Sequence, residues 1–211
     1  MMSLALPPIV YADDDLLVVD KPAGLLTVPG KGPDKQDCLI NRVVRAYPNA
    51  RIVHRLDQAT SGLVIIPLGY EPQKHLSRQF QQQQMSKLYT AVVGGVVAED
   101  EGEVDLPLIC DWPNRPRQKV DHTEGKWALT RYRVLARETT HTRVALTPVT
   151  GRSHQLRVHM LSLGHPILGD DLYATPELIA RSERLLLHAT RLQFSHPRTE
   201  ETVTCESEPP F

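Results

Sequence analysis

Apolar positions recur along the chain in two rhythms, and their alternation with polar residues predicts most of the elements. Ile9, Val10 and Tyr11 precede Asp13, Asp14 and Asp15, and Leu16, Leu17, Val18 and Val19 follow, which predicts strand, turn, strand with the three acids solvated at the turn. Lys21-Pro22-Ala23-Gly24 reads as a loop. Leu39, Ile40, Val43, Val44 and Tyr47 recur at three- and four-residue spacing, so residues 36–47 are predicted as an amphipathic helix ended by Pro48. Residues 62–66 form a continuous apolar run of strand length, the pattern of a strand buried on both faces. A helix is predicted over 71–84, with a polar end at Gln81 to Gln84, and a strand over 88–97 with a bend at Gly94-Gly95. Strands over 127–134 and 142–146, a helix over 152–163 starting near Ser153, and strands at 185–187 and 202–204 complete the pattern.

The expected class is α+β. Residues 1–211 are expected to form one domain, with an N-terminal tail over about 1–8 and a loop-rich insert over about 99–126 that holds the Pro-rich, aromatic and basic stretch 102–119. No apolar run reaches the ~18 residues that span a bilayer, and the start lacks the basic leader of a secretory signal, so the cytoplasm is the expected location. Cys38, Cys110 and Cys205 are odd in number and far apart, which offers neither a disulfide framework nor a zinc pair; packed thiols are expected. The nine histidines carry no HExxH or similar ligand spacing, so no metal is implied. A net charge of -1 conceals segregation: residues 111–157 hold ten Lys/Arg against four Asp/Glu, a local +6 suited to phosphates.

Three segments could carry chemistry. Asp57 lies between Arg55 and Thr60-Ser61-Gly62, directly before the buried strand; a guanidinium nearby would hold it ionised as nucleophile or base, although the same pattern fits an ion pair that fixes a turn. In Gly151-Arg152-Ser153-His154-Gln155-Leu156-Arg157-Val158-His159, helical spacing puts Leu156, Met160 and Leu163 on one face and His154 with Arg157 on another, while Arg152 and the free amides of the helix start could meet an anion. An ordinary basic surface helix fits equally. In the stretch from Cys110 to Lys119, Arg115, Arg117 and Lys119 alternate with prolines beside Trp112, a composition suited to looped RNA. Trp112 itself is expected beneath the insert as a core anchor.

Taken together, His54-Arg55-Leu56-Asp57 with Thr60-Ser61-Gly62, Lys87-Leu88-Tyr89, Gly151 to His159, and His165-Pro166-Ile167-Leu168-Gly169-Asp170 resemble, in the same order, the motifs of the RluA-type pseudouridine synthases. The likeness runs from about Ile9 to the C-terminus. Pro107 to Pro116 is similar to a short member that modifies 23S ribosomal RNA and tRNA. The resemblance implies a single pseudouridine-synthase-type domain: a long, mixed, mostly antiparallel sheet flanked by helices around a central RNA cleft, working without cofactor or metal. The expected partners are stem-loops of 23S rRNA and of tRNA, including the anticodon loop, with no membrane and a monomeric protein. Few residues precede Ile9, so no S4-type N-terminal RNA-binding domain is expected.

The resemblance assigns roles to residues singled out above. Asp57 matches the catalytic aspartate, Arg157 its guanidinium partner, Tyr89 the aromatic residue on the target base, and Arg55 the residue that displaces that base, an extrusion that costs a few kcal/mol. His54 is expected to support by hydrogen bonding. Lys21, Arg115, Arg117, Lys119, Arg152 and His154 are the expected RNA contacts. Two departures stand out: Gln81 to Gln84 where relatives carry more charge, and Asp20 where many carry Asn, the latter expected to be tolerated in a loop. Asp57 could attack the sugar, add to the base or abstract a sugar proton. RNA binding without catalysis would use the same basic segment, and a hydrolytic glycosidase would need a second carboxylate, for which Asp170 or Asp171 is available.

Overall fold

The structure is a computed structural model that describes residues 5–211; the first half of the expected tail lies outside the described residues. In chain order the elements are β1 (Ile9–Ala12), β2 (Leu16–Lys21), α1 (Leu39–Val44), β3 (Ser61–Pro67), α2 (Tyr70–Gln81), β4 (Ser86–Gly94), β5 (Glu101–Asp105), β6 (Leu108–Cys110), β7 (Gln118–Val120), β8 (Leu129–Arg137), β9 (His141–Pro148), α3 (Gln155–Ser162), α4 (Pro176–Ile179), β10 (Leu187–Ser195) and β11 (Thr202–Glu206). The fold is α+β, with few helices and antiparallel pairing in β1–β2, β2–β3, β4–β9, β8–β9, β5–β8, β6–β7 and β10–β11. The chain groups into two compact units, one running to Lys87 and resuming at Ala189–Pro210, the other comprising Leu88–His188 with Phe211.

In the first unit the strand order is β1-β2-β3-β10, with β11 also on β10. Every residue of β3 is buried. Leu63 and Ile65 join Leu16, Val18, Leu76, Met85, Leu192, Phe194 and Cys205 in one apolar cluster. Val64, Ile66, Leu17 and Val19, pointing the other way from the pleat, are buried as well, as expected of a strand covered on both faces. Helix α2 rests on this sheet through Leu76 and through Gln79, whose amide donates to Ser195 O at 2.7 Å and accepts the Ser195 N–H at 2.9 Å. Gly62 has φ +112°, and a Cβ there would strike the backbone of Ala189, so neither the conformation nor the space admits a side chain.

Three expectations change in this unit. The helix expected over 36–47 is only α1, because Gln36 turns back onto the carbonyls of Gly30 and Gly32 and Asp37 pairs with Arg42. Two of the three turn acids are bonded rather than merely solvated, while Asp14 is exposed. Asp13 accepts the Tyr11 hydroxyl at 2.6 Å and the N–H groups of Asp15 and Leu16, and Asp15 pairs with Arg198 at 2.7 Å. Asp20 sits in β2 rather than in a loop and accepts the Ser207 hydroxyl.

In the second unit the order is β4-β9-β8-β5, and β6 with β7 forms a separate hairpin. The stretch 99–126 is therefore not all loop. β5 buries only Val104 and has three acids and a glycine elsewhere, as suits a strand at a sheet edge, so its apolar pattern is too thin to read. Helix α3 starts at Gln155, later than expected. Its cap His154 is left-handed at φ 53°, and six of its eight residues are buried, three of them polar. Each buried polar side chain has partners: Gln155 on Thr150, Thr130 and Leu129 O, His159 on Thr130 and Leu106 O, and Arg157 on Asp170. Val158 packs with Leu108 and Ala128, which seats the hairpin against α3. Among the described residues no helix is long and apolar enough to cross a membrane.

Candidate active site

Asp57 belongs to the first unit, in the segment between α1 and β3, and is half-buried. The residues on either side of it are gripped by their main chains. Thr27 Oγ1 donates to Leu56 O at 2.8 Å and accepts the Leu56 N–H at 3.1 Å. Gln58 O accepts from Lys21 Nζ at 3.2 Å and from the Gly24 N–H at 2.8 Å, and the Thr60 N–H closes a turn on Asp57 O at 3.1 Å. Lys21 is fully buried, with its ammonium also on Pro22 O at 3.0 Å and Leu25 O at 2.7 Å. Lys21, expected to contact phosphate, has its ammonium on three carbonyls of its own unit.

Arg55 is exposed beside this turn. His54 faces the other way, with Nε2 accepting the Ile65 N–H at 2.9 Å and its ring stacked 4.7 Å from Phe80. Burial, with the Lys87 charge adding, pushes the His54 pKa down to about 3, so at neutral pH the ring is uncharged with its proton on Nδ1. His54 thus has the supporting hydrogen bond expected of it.

The second unit holds Tyr89 and Arg157. Tyr89, on β4 opposite Leu146, is half-buried. Arg157 is 3% exposed and forms a two-pronged pair with Asp170, Nε to Oδ2 at 2.8 Å and Nη2 to Oδ1 at 2.6 Å, with Asp171 at 3.4 Å. Asp170 is itself 1% exposed and caps the N–H groups of Leu172 and Tyr173. That commitment answers the suggestion of a second, opposed carboxylate: Asp170 is spent on holding Arg157. His154 and Arg157, expected to share a helix face, instead meet on Tyr173. The Tyr173 hydroxyl lies 2.7 Å from His154 Nδ1, and its ring lies 5.1 Å from the Arg157 guanidinium. Tyr173 had no role in the sequence reading; its short distance from the Gly169-Asp170 motif was the available signal.

The expected RNA contacts divide by exposure. Arg115, Arg117, Lys119 and Arg152 are exposed. Trp112 is 65% exposed, not a core anchor, and the Arg115 guanidinium lies 4.3 Å above its ring. Arg152 Nε donates to Trp127 O at 3.0 Å, and its own N–H donates to Gln155 Oε1 at 3.0 Å. Trp127, another exposed indole, was missed. Part of the local +6 is spent inside the unit, since Arg131 pairs with Glu103 and Arg137 with Asp100.

Among the described residues the side chains with metal-ligand spacing are Asp13, Asp15 and His196. Their atoms are committed to a network: His196 Nε2 is 2.9 Å from Asp13, and His196 Nδ1 accepts the N–H groups of Arg198 and Thr199. Burial raises the Asp13 carboxyl, yet the bonds from Tyr11, Asp15, Leu16 and His196 outweigh it and hold the group below the usual range. The cluster reads as a tether between two turns.

A model of the RNA pseudouridylate synthase family matches residues 15–162, well over half of the chain, including Asp57, Tyr89 and Arg157. The chain belongs to this family. Dual-specificity RNA pseudouridine synthase RluA of Yersinia pestis is 51% identical over 203 residues, covering 95% of this chain and 98% of the relative. The protein of that name from Escherichia coli K12 is 51% identical over 204 residues, 96% and 93% of the two chains. Among solved structures, human RNA pseudouridylate synthase domain containing 1 superposes with a TM-score of 0.83 at 29% identity, covering 100% of this chain and 86% of that one. Human RNA pseudouridylate synthase domain containing 4 gives 0.77 at 25%, with 96% and 88% covered. The chain is accordingly an RNA pseudouridine synthase, an isomerase whose substrate is RNA.

Proposed function

We propose that this protein, acting in the cytoplasm as a monomer, isomerises specific uridines in stem-loops of 23S rRNA and tRNA, including the anticodon loop. The observation that carries the reading is the 51% identity, over nearly the whole of both chains, to relatives named as dual-specificity RNA pseudouridine synthases. Residues 1–211 act as one catalytic domain and need no cofactor. Asp57 is the catalytic carboxylate, and Arg157 its guanidinium partner. Tyr89 packs on the target uracil, and Arg55 occupies the place the base leaves, which offsets part of the cost of extrusion.

In this reading the bond between uracil N1 and ribose C1′ breaks, the base turns while held, and a bond forms from C5 to C1′. The C5 proton leaves and N1 gains one, so the product has the substrate's atoms. The hold on Leu56 and Gln58 supports the assignment, because a reacting carboxylate must keep its place while the base turns. Exposed Arg115, Arg117, Lys119 and Arg152, with Trp112 beneath Arg115, supply charge for phosphates and a ring for an unpaired base.

The test is Asp57→Asn assayed on two substrates, a 23S rRNA stem-loop and a tRNA anticodon stem-loop, with pseudouridine read chemically. Loss of product on both with retained RNA binding is expected. Retained turnover removes Asp57 from the mechanism, and wild-type activity on only one RNA narrows the substrate range.

A further inference from the structure

The β6–β7 hairpin and Arg157 are joined through one side chain. The Gln118 N–H, at the first residue of β7, donates to the Tyr173 hydroxyl at 2.7 Å. The same oxygen lies 2.7 Å from His154 Nδ1, and the His154 and Tyr173 rings meet edge-on at 5.6 Å. The face of the Tyr173 ring carries Arg157, and its main-chain N–H is bound at 3.2 Å to Asp170 Oδ1, the oxygen that also receives Arg157 Nη2.

On its other side Gln118, paired with Cys110, ends a loop crossed by its own hydrogen bonds. The Asp111 N–H is on Arg117 O at 2.9 Å, the Arg117 N–H is on Asn114 O at 3.0 Å, and Asn114 Nδ2 is on Asp111 at 2.8 Å. This loop carries Trp112, with Arg115 pinned over it by a 3.2 Å bond from Nε to Trp112 O. His154 is held left-handed at φ 53°, a conformation costly to a non-glycine residue that persists where neighbours enforce it.

We propose that Tyr173 is a positioning residue: its hydroxyl fastens the RNA-contacting loop of the β6–β7 hairpin, its ring seats Arg157, and RNA held on Trp112 and Arg115 thereby steadies the catalytic guanidinium. The proposal rests on the reading of Arg157 given above. The hydroxyl and the ring do separable work, one on the hairpin and one on Arg157. Tyr173→Phe removes the first, and Tyr173→Leu removes both.

The experiment measures RNA affinity and the single-turnover rate at saturating stem-loop RNA for wild type, Tyr173→Phe, Tyr173→Leu, Trp112→Ala, the Trp112→Ala/Tyr173→Phe double variant and Arg157→Met. Tyr173→Phe should weaken RNA affinity about five-fold while losing less of the saturating rate than Tyr173→Leu, which should fall about ten-fold or more, sizes typical of one lost hydrogen bond and one displaced catalytic group. Trp112→Ala should cost less affinity in the Tyr173→Phe background than in wild type, since both act on one loop. Additive losses, or a Tyr173→Phe affinity within about two-fold of wild type, overturn the proposal even if Tyr173→Leu does not fold. A folded Tyr173→Leu with the wild-type saturating rate overturns it too. An active Arg157→Met instead defeats the reading of Arg157, an outcome read independently of Tyr173.

Discussion

Thr27 Oγ1 both donates to and accepts from the main chain of Leu56, at 2.8 and 3.1 Å, so one hydroxyl completes the peptide bonds of the residue before Asp57. Thr27 and Leu56 are both buried, so water cannot replace either bond. Thr27→Val keeps the shape and leaves a buried N–H and C=O unpaired, at a cost of about 1–3 kcal/mol each. The expected outcome is a lower Tm together with a reduced saturating rate of pseudouridine formation, measured by thermal unfolding and single turnover. An unchanged rate in the folded variant would show that the Leu56 clamp does not set the pose of Asp57.

Lys21 and Arg117 should separate by salt dependence. Each phosphate contact adds about one to the slope of log affinity against log salt. Arg117→Ala should lower that slope by about one and leave Tm near wild type. Lys21→Met should leave the slope unchanged and lower Tm, because the Pro22 and Leu25 carbonyls lose this donor and Gln58 O keeps only the Gly24 N–H. A reduced slope for Lys21→Met would mark it as a phosphate contact.

Breaking the Arg157–Asp170 pair should be costly to the fold as well as to turnover. Both groups are almost wholly buried, and removing one partner of such a pair typically costs about 3–5 kcal/mol. Asp170→Asn is expected to lower the denaturant midpoint and the saturating rate together. A rate loss at an unchanged midpoint would point to a direct chemical role for Asp170.

His54 should make stability depend on pH. Its pKa in the folded protein is about 3 against an ordinary 6.5, so below pH 6.5 the unfolded chain takes up a proton that the folded chain refuses. Stability is therefore full above about pH 6.5 and is lost as pH falls towards 3, by up to about 1.4 kcal/mol per pH unit from this residue. Burial also lowers the His159 pKa, which adds to the same slope. His54→Gln, which keeps an acceptor for the Ile65 N–H, should flatten the profile in urea titrations between pH 6 and 4. An identical profile would mean that His54 is protonated in the folded protein.

Patterns that repeat locally were legible in the sequence, and partnerships across the chain were not. β3 is readable because every residue from Gly62 to Ile66 is apolar or small and must be buried together. α3 misled because His154 and Arg157 read as one shared face; in the structure Gln155, Arg157 and His159 are each buried against a partner distant in sequence, at Thr130, Asp170 and Thr130 with Leu106 O. The Lys21 bonds were hidden for the same reason, since nothing in Lys21-Pro22 announces the carbonyls of Leu25 and Gln58. Trp112 erred in the opposite direction: a lone indole is usually covered, and here a guanidinium covers one face of a ring that otherwise meets solvent. The order of motifs pointed to the family, which no periodicity did.

The hold on the Asp57 turn is a grip on main chain alone. Lys21 and Thr27 bind the carbonyls of Gln58 and Leu56 and the Leu56 N–H, groups that any residue would offer except a proline at position 56. Arg55 points into solvent from the same turn. The path of the chain through position 57 is thus set by Lys21 and Thr27 from outside the segment, whatever side chain faces solvent beside it.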